Sequence, residues 1–111
     1  RKESSAASDV YKRQVEAHYR EHLSVEDFAA RLNTPSLQLN QLCRALSGQT
    51  ALQVVHQRLL LEARRNLIYT RMSIGQLSDS LGFTDPTYFA RWFKRLSGQT
   101  PNAYRRSGLS E

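Results

Sequence analysis

Cysteine is almost missing from this chain: one residue, Cys43, in 111. A single thiol closes no internal disulfide and builds no cysteine-based zinc site. Histidine is nearly as scarce, with His18, His22 and His56 the full set, and no glycine-rich phosphate loop is present. No apolar run approaches the ~18 residues that a membrane span needs, and no segment has the anatomy of a signal peptide. These shortages remove the usual equipment of metalloenzymes, phosphate-cradling enzymes and membrane proteins. No catalytic residue, metal or cofactor is expected, and no membrane partner. Acid is the remaining shortage: 10 Asp+Glu stand against 16 Lys+Arg, a net +6. With 40% hydrophobic residues the chain makes one ordinary domain, or two very small ones sharing an element. A basic, soluble chain poor in catalytic groups points first at nucleic acid, and a cytoplasmic location is expected.

The first fourteen residues are set aside. Residues 4–14, S-S-A-A-S-D-V-Y-K-R-Q, match under one choice of codons an adapter of transposase-based sequencing libraries. Residues 1–14 are therefore expected to be a non-native leader and carry no functional argument. Arg1, Lys2, Lys12 and Arg13 against Glu3 and Asp9 account for +2 of the charge, leaving +4 for residues 15–111. The natural reading frame is expected to begin upstream, with a regulatory portion lost.

The rest of the chain repeats. L-S-G-Q-T occurs at 46–50 and again at 96–100, and behind each copy Leu39, Leu42, Cys43 and Arg44 align with Phe89, Trp92, Phe93 and Lys94. A period near fifty suggests a duplicated pair of short helices. In the first copy Ser24 is placed to cap a helix whose Val25, Phe28, Ala29 and Leu32 follow an i, i+3, i+4, i+7 stripe. Asn33-Thr34-Pro35 interrupts it, and a second helix runs from about Pro35 to Leu46, stopped by Gly48. In the second copy Ser73 caps Ile74, Leu77 and Leu81, and Gly82 breaks the helix. Asp85-Pro86 restarts the chain, with Phe89, Trp92, Phe93 and Leu96 as its buried face up to Gly98. Each copy is a helix-turn-helix. Between them Leu52, Val55, His56, Leu59, Leu60, Ala63, Leu67 and Ile68 recur at helical spacing over 51–69. Such a helix spans about 28 Å, comparable with the ~34 Å turn of B-DNA, so it is long enough to hold two reading heads in successive major grooves. Val15 and Tyr19 mark the end of a helix before the first copy, its first turns filled by Val10 and Tyr11 of the leader. Thr100-Pro101 opens a short last helix through Tyr104 and Arg105.

With those residues in view, the chain resembles the DNA-binding domain of the AraC/XylS family of bacterial transcription regulators. The second half carries I-x-x-L-S-x-x-x-G-F-x-D-x-x-Y-F-x-R-x-F-K-R-x-x-G-x-T-P-x-x-Y-R from Ile74 to Arg105, with Ser78 where the family more often has Ala. The first half is similar through P-S-x-x-L-N-x-L at Pro35 to Leu42, with Gln41 where Arg is frequent and Cys43 where Phe is frequent. The resemblance implies an all-α, homeodomain-like fold of about seven helices. Residues 15–50 would form the first helix-turn-helix, 51–69 the connecting helix, and 70–111 the second helix-turn-helix with its short C-terminal helix. It implies sequence-specific binding of double-stranded DNA, as the output domain of a transcription regulator, with RNA polymerase a further candidate partner. A small-molecule effector would act only through a missing upstream domain. Carried over by position, the base-reading residues are Ser36, Leu37, Asn40 and Gln41 in the first head and Pro86, Thr87, Tyr88 and Arg91 in the second. Arg44, Lys94 and Arg95 suit phosphates, which position without specifying. Asn and Gln pair bidentately with adenine, Arg with guanine, and Leu37 suits a thymine methyl.

Several residues have a plainer reading beside the functional one. Cys43 aligns with Phe93 on an inward face and reads as a core thiol rather than a redox switch. His18 and His22 at i, i+4 lack a third ligand and read as a solvated helix face rather than a metal site. His56, Trp92 and Phe93 read as core. Arg64-Arg65 and Arg105-Arg106 are candidate phosphate contacts set against a default of exposed helix surface, and Tyr88 stands between packing and base contact. Two other functions compete: a module that docks on polymerase, and a DNA-repair enzyme whose catalytic part lies upstream.

Overall fold

The computed structural model describes residues 2–109; Arg1 at the head of the leader and Ser110 and Glu111 at the C-terminus lie outside the described residues. Every regular element in that range is helical: α1 (Lys2–His18), continued by a 3-10 turn Tyr19–Glu21, then α2 (Val25–Arg31), α3 (Ser36–Ser47), α4 (Ala51–Tyr69), α5 (Ile74–Ser80), α6 (Pro86–Ser97) and α7 (Pro101–Leu109). The chain divides into two compact units, Arg1–Arg58 and Leu59–Glu111, and the division falls inside α4.

The first unit is held by local caps and one apolar stripe per helix. Ser24 Oγ accepts from the Asp27 N–H at 3.0 Å while the Asp27 carboxylate accepts from the Ser24 N–H at 3.2 Å, a reciprocal capping box. Asn33, at φ 52°, makes the left-handed turn that separates α2 from α3. Tyr11, Val15 and Tyr19 follow one another at i, i+4, i+8 and are all buried, joining Phe28, Ala29, Leu39, Cys43, Ala51 and Val55 in the core. Tyr11 meets the Phe28 ring edge-on at 5.5 Å and donates its hydroxyl to the Ala51 carbonyl at 2.7 Å. α1 runs unbroken through the leader boundary expected after residue 14, because Tyr11 shares the stripe of Val15 and Tyr19. Arg58 grips the Glu16 carboxylate with Nε at 2.8 Å and a terminal nitrogen at 3.0 Å, its guanidinium lying 4.4 Å from the Tyr19 ring centre. Leu52 is exposed, a correction to the inward stripe expected of it: it sits one residue off the buried row Ala51, Val55, Leu59.

The second unit repeats the grammar with a heavier core. Ser73 and Gln76 form the capping box, at 3.0 and 2.9 Å. Gly82, φ 84°, occupies the turn position that Asn33 holds in the first copy, and without a Cβ it adopts that backbone at no steric cost. Asp85 caps α6 by accepting from the Thr87 N–H at 2.9 Å, with Pro86 in the first helical position, where its missing N–H has no partner to lose. Phe83 stands 5.1 Å from both Phe89 and Trp92, and Phe93 meets Tyr104 of α7 at 5.6 Å. Leu59, Leu60, Ala63 and Leu67 of α4, with Leu77 and Leu81, are buried in this unit as well. The buried face of α6 ends at Phe93; Leu96, expected inside, is 38% exposed in the last turn before Gly98.

Candidate nucleic-acid interface

The two second helices, α3 and α6, each hide one face and present another. In α6 the inward set is Phe89, Trp92 and Phe93, so the residues between them are turned out by the 3.6-residue period. Pro86, Thr87, Tyr88, Arg91, Lys94 and Arg95 are all exposed. Thr87, Arg91 and Lys94 stand at i, i+4, i+7 and share one stripe, with Arg95 beside it. This face carries three cations and no carboxylate. Tyr88 is 53% exposed, with its ring 6.0 Å from Phe83: the inner edge is packed and the rest faces solvent.

In α3 the inward residues are Leu39 and Cys43. Leu37, Gln38, Gln41, Arg44 and Ala45 lie outside, and Leu37, Gln41 and Arg44 repeat the i, i+4, i+7 stripe of Thr87, Arg91 and Lys94. Leu37 is 71% exposed, a large apolar side chain on an otherwise polar helix start. Ser36 is half-buried at the first helical position. Gln38 and Ala45, which the motif comparison passes over, share this outer surface; the spacing from Leu37 and Gln41 was the signal for them.

Asn40 departs from the reading role expected of it. It is half-buried, and its Oδ1 accepts from the backbone N–H of Ala51 at 2.8 Å. The cause is the start of α4, where the first N–H groups have no partner within the helix. Thr50 and Gln53 satisfy each other reciprocally, at 2.8 and 3.1 Å, and Asn40 serves the donor between them. A bidentate adenine contact needs both a donor and an acceptor on the amide, and the acceptor is already engaged.

Arg105, weighed as a phosphate contact, is likewise engaged. Its Nε donates to the Leu67 carbonyl at 2.8 Å and a terminal nitrogen to the Thr70 carbonyl at 3.3 Å. The last turn of α4 has no basic residue of its own, so Arg105 places a cation where the orphan carbonyls and the helix dipole favour one. The Arg64 guanidinium lies 5.9 Å from the Tyr104 ring centre, whereas Arg65 and Arg106 are exposed. His18 bonds Glu21 through Nδ1 and meets Arg31 at 3.2 Å through Nε2. Burial pushes the Cys43 thiol up from its ordinary value, so at neutral pH it is an unionised core group.

A family model described as a helix-turn-helix domain matches residues 28–107, both reading helices included. The chain belongs to the AraC/XylS-type helix-turn-helix family. Among relatives of this AraC/XylS-type domain, the HTH-type transcriptional regulator YisR of Bacillus subtilis is 29% identical over 94 residues, covering 85% of this chain and 33% of that protein. The bifunctional transcriptional activator and DNA repair enzyme AdaA of the same organism is 24% identical over 103 residues, covering 93% and 49%. The DNA-binding domain of the global transcriptional factor AdpA, solved in complex with a target DNA, superposes with a TM-score of 0.81 at 28% identity, over 94% of this chain and 93% of that one. The AraC/XylS-type domain thus spans a third to a half of the length of these two curated relatives. Its helix-turn-helix pairs are the part they share with it.

Proposed function

We propose that this domain is the output end of a cytoplasmic bacterial transcription regulator, and that α3 and α6 read one extended duplex site from adjacent stretches of major groove. The outer stripe of α6 carries the reading. Thr87, Tyr88 and Arg91 present hydroxyls and a guanidinium suited to base edges, Arg91 to the O6 and N7 of guanine. Lys94 and Arg95 lie one turn further along for phosphate, and Pro86 lends rigidity to the helix start. On α3, Leu37 offers an apolar surface to a thymine methyl and Gln41 an amide to adenine, with Ser36 at the helix start and Arg44 at the phosphate edge. All of this is recognition without bond-making chemistry in this domain. No helix among the described residues is long and apolar enough to cross a membrane.

Fluorescence anisotropy against random-sequence duplex across 50–200 mM salt tests the binding, followed by selection of sites from a randomised duplex library. The expected result is steeply salt-dependent binding, with log K falling by about 0.9 per phosphate contacted, and selected sites that extend over two groove segments. A folded protein that ignores duplex DNA even at 50 mM salt overturns this reading and moves the domain's role to polymerase docking.

A further inference from the structure

We infer that Asn40 positions the first recognition helix instead of reading a base: it sets the rotation of α3 by holding the first N–H of α4, and the specificity of Leu37 and Gln41 depends on that hold. This rests on the proposal that α3 enters the groove.

Ala51 is fully buried, and the two peptide groups that flank its Cα are each held by a side chain. Asn40 takes its N–H at 2.8 Å, and Tyr11 donates to its carbonyl at 2.7 Å. Side chains from α1 and α3 therefore converge on the first residue of α4. A donor at a fully buried residue has no water to fall back on, so losing Asn40 orphans it. The helix bearing Asn40 then loses a side-chain bond that joins it to α4. Leu37 and Gln41 sit on the same helix, three residues before and one after, and turn with it.

The second copy supplies an independent observation. Shifted by the fifty-residue repeat, Asn40 becomes Ala90 and Ala51 becomes Pro101. Proline has no N–H. Acceptor and donor vanish together, while the residues around them stay matched: Leu39 with Phe89, Cys43 with Phe93, Thr50 with Thr100. A residue chosen to read a base has no reason to change in step with a helix start eleven residues away. A residue chosen to satisfy that start does.

The test uses the full 111-residue chain and sites that it selects from randomised duplex DNA. Asn40→Ala is expected to weaken binding about tenfold and to relax together every base position in the half of the site read by α3, leaving the α6 half unchanged. The double variant Asn40→Ala with Ala51→Pro copies the Ala90–Pro101 pair, removes the orphan donor, and is expected to recover affinity to within about threefold and the full base profile. A lost base contact has no such rescue. Loss of preference at one A·T pair only, without recovery in the double variant, overturns the inference, and so does an Asn40→Ala profile identical to the parent's. If either variant fails to fold by circular dichroism, Asn40→Asp decides. It keeps the acceptor for Ala51 but lacks the amide donor, so the base profile is expected to survive with a uniform loss of affinity from the added negative charge. Loss of a single adenine preference in Asn40→Asp overturns the inference. A parent protein that binds duplex with no base preference defeats the reading proposal itself, a distinguishable result.

Discussion

The two units are copies in plan but unequal in charge. Residues 15–58 carry four basic and four acidic side chains and are neutral, whereas residues 59–111 carry eight basic against four acidic and hold the whole +4 of residues 15–111. α3 has one charged residue, Arg44; α6 has three, Arg91, Lys94 and Arg95, all positive. The cores differ as well. Where the second unit buries Phe93 against Phe89 and Tyr104, the first buries Cys43. Both copies keep the capping box of their first helix and the glycine stop of their second, while the second copy alone combines a basic outer helix with an aromatic core. The other has one charged residue on its outer helix, and its Asn40 is bonded to the Ala51 N–H. On the reading proposed above, α6 supplies both the guanidinium aimed at a base and the cations that attract phosphate, and α3 adds a nearly uncharged second contact.

The widest gap between the copies is expected in stability. Phe93→Ala should cost about 3–5 kcal/mol and Cys43→Ala about 1 kcal/mol, from urea titrations followed by circular dichroism. Equal costs at these equivalent positions would break the contrast between the cores. In DNA affinity, Arg91→Ala should cost about 1–3 kcal/mol and relax one or two base positions, and Gln41→Ala about 1 kcal/mol. A larger loss at Gln41 would reverse the division of labour. Ser78 is 1% exposed and its hydroxyl has no hydrogen-bond partner among the described residues. Ser78→Ala should therefore stabilise the second unit by about 1 kcal/mol, and a fall in melting temperature would show that the hydroxyl is satisfied after all.

An alkaline titration separates the units further. Burial raises the Cys43 thiol from 9.0 and, with the Cys43 charge adding to it, the Tyr11 hydroxyl from 10.0. For both groups the folded state holds the proton more tightly than the unfolded chain. Their contribution is intact below the unfolded values and is lost as pH climbs through the folded ones. Stability of the first unit should start to fall above about pH 9, and Cys43→Ala should delay that onset; an unchanged onset would remove the thiol as its cause. The smallest effect is at Lys94. Lys94→Ala should weaken all duplexes alike and lower the salt slope by about one, where a change in base preference would promote it from phosphate contact to reader.

Much of this was legible in the letters. Ser24 with Asp27, Asp85-Pro86 and the two L-S-G-Q-T stops each act within four residues of chain, so the helix limits around them follow from local hydrogen bonding. The outer stripes of α3 and α6 followed from the spacing of Leu39 with Cys43 and of Phe89 with Trp92 and Phe93. Leu52 and Leu96 were harder, because periodicity marks an apolar face without saying how far along the helix a neighbour continues to cover it.

The residues that turned out otherwise are polar and long-range. Asn40 and Arg105 have the chemistry of DNA contacts, and nothing local distinguishes an amide that faces a groove from one that caps a helix. Asn40 finds Ala51 eleven positions on, and Arg105 reaches back 38 residues to the Leu67 carbonyl. By itself the sequence determined the helices, the turns, the duplication and the sign of the charge, since each depends on side chains a few residues apart. Only the tertiary structure decided which polar groups remain free to meet DNA, because a donor or acceptor is committed by whichever backbone group packing brings within 3 Å of it.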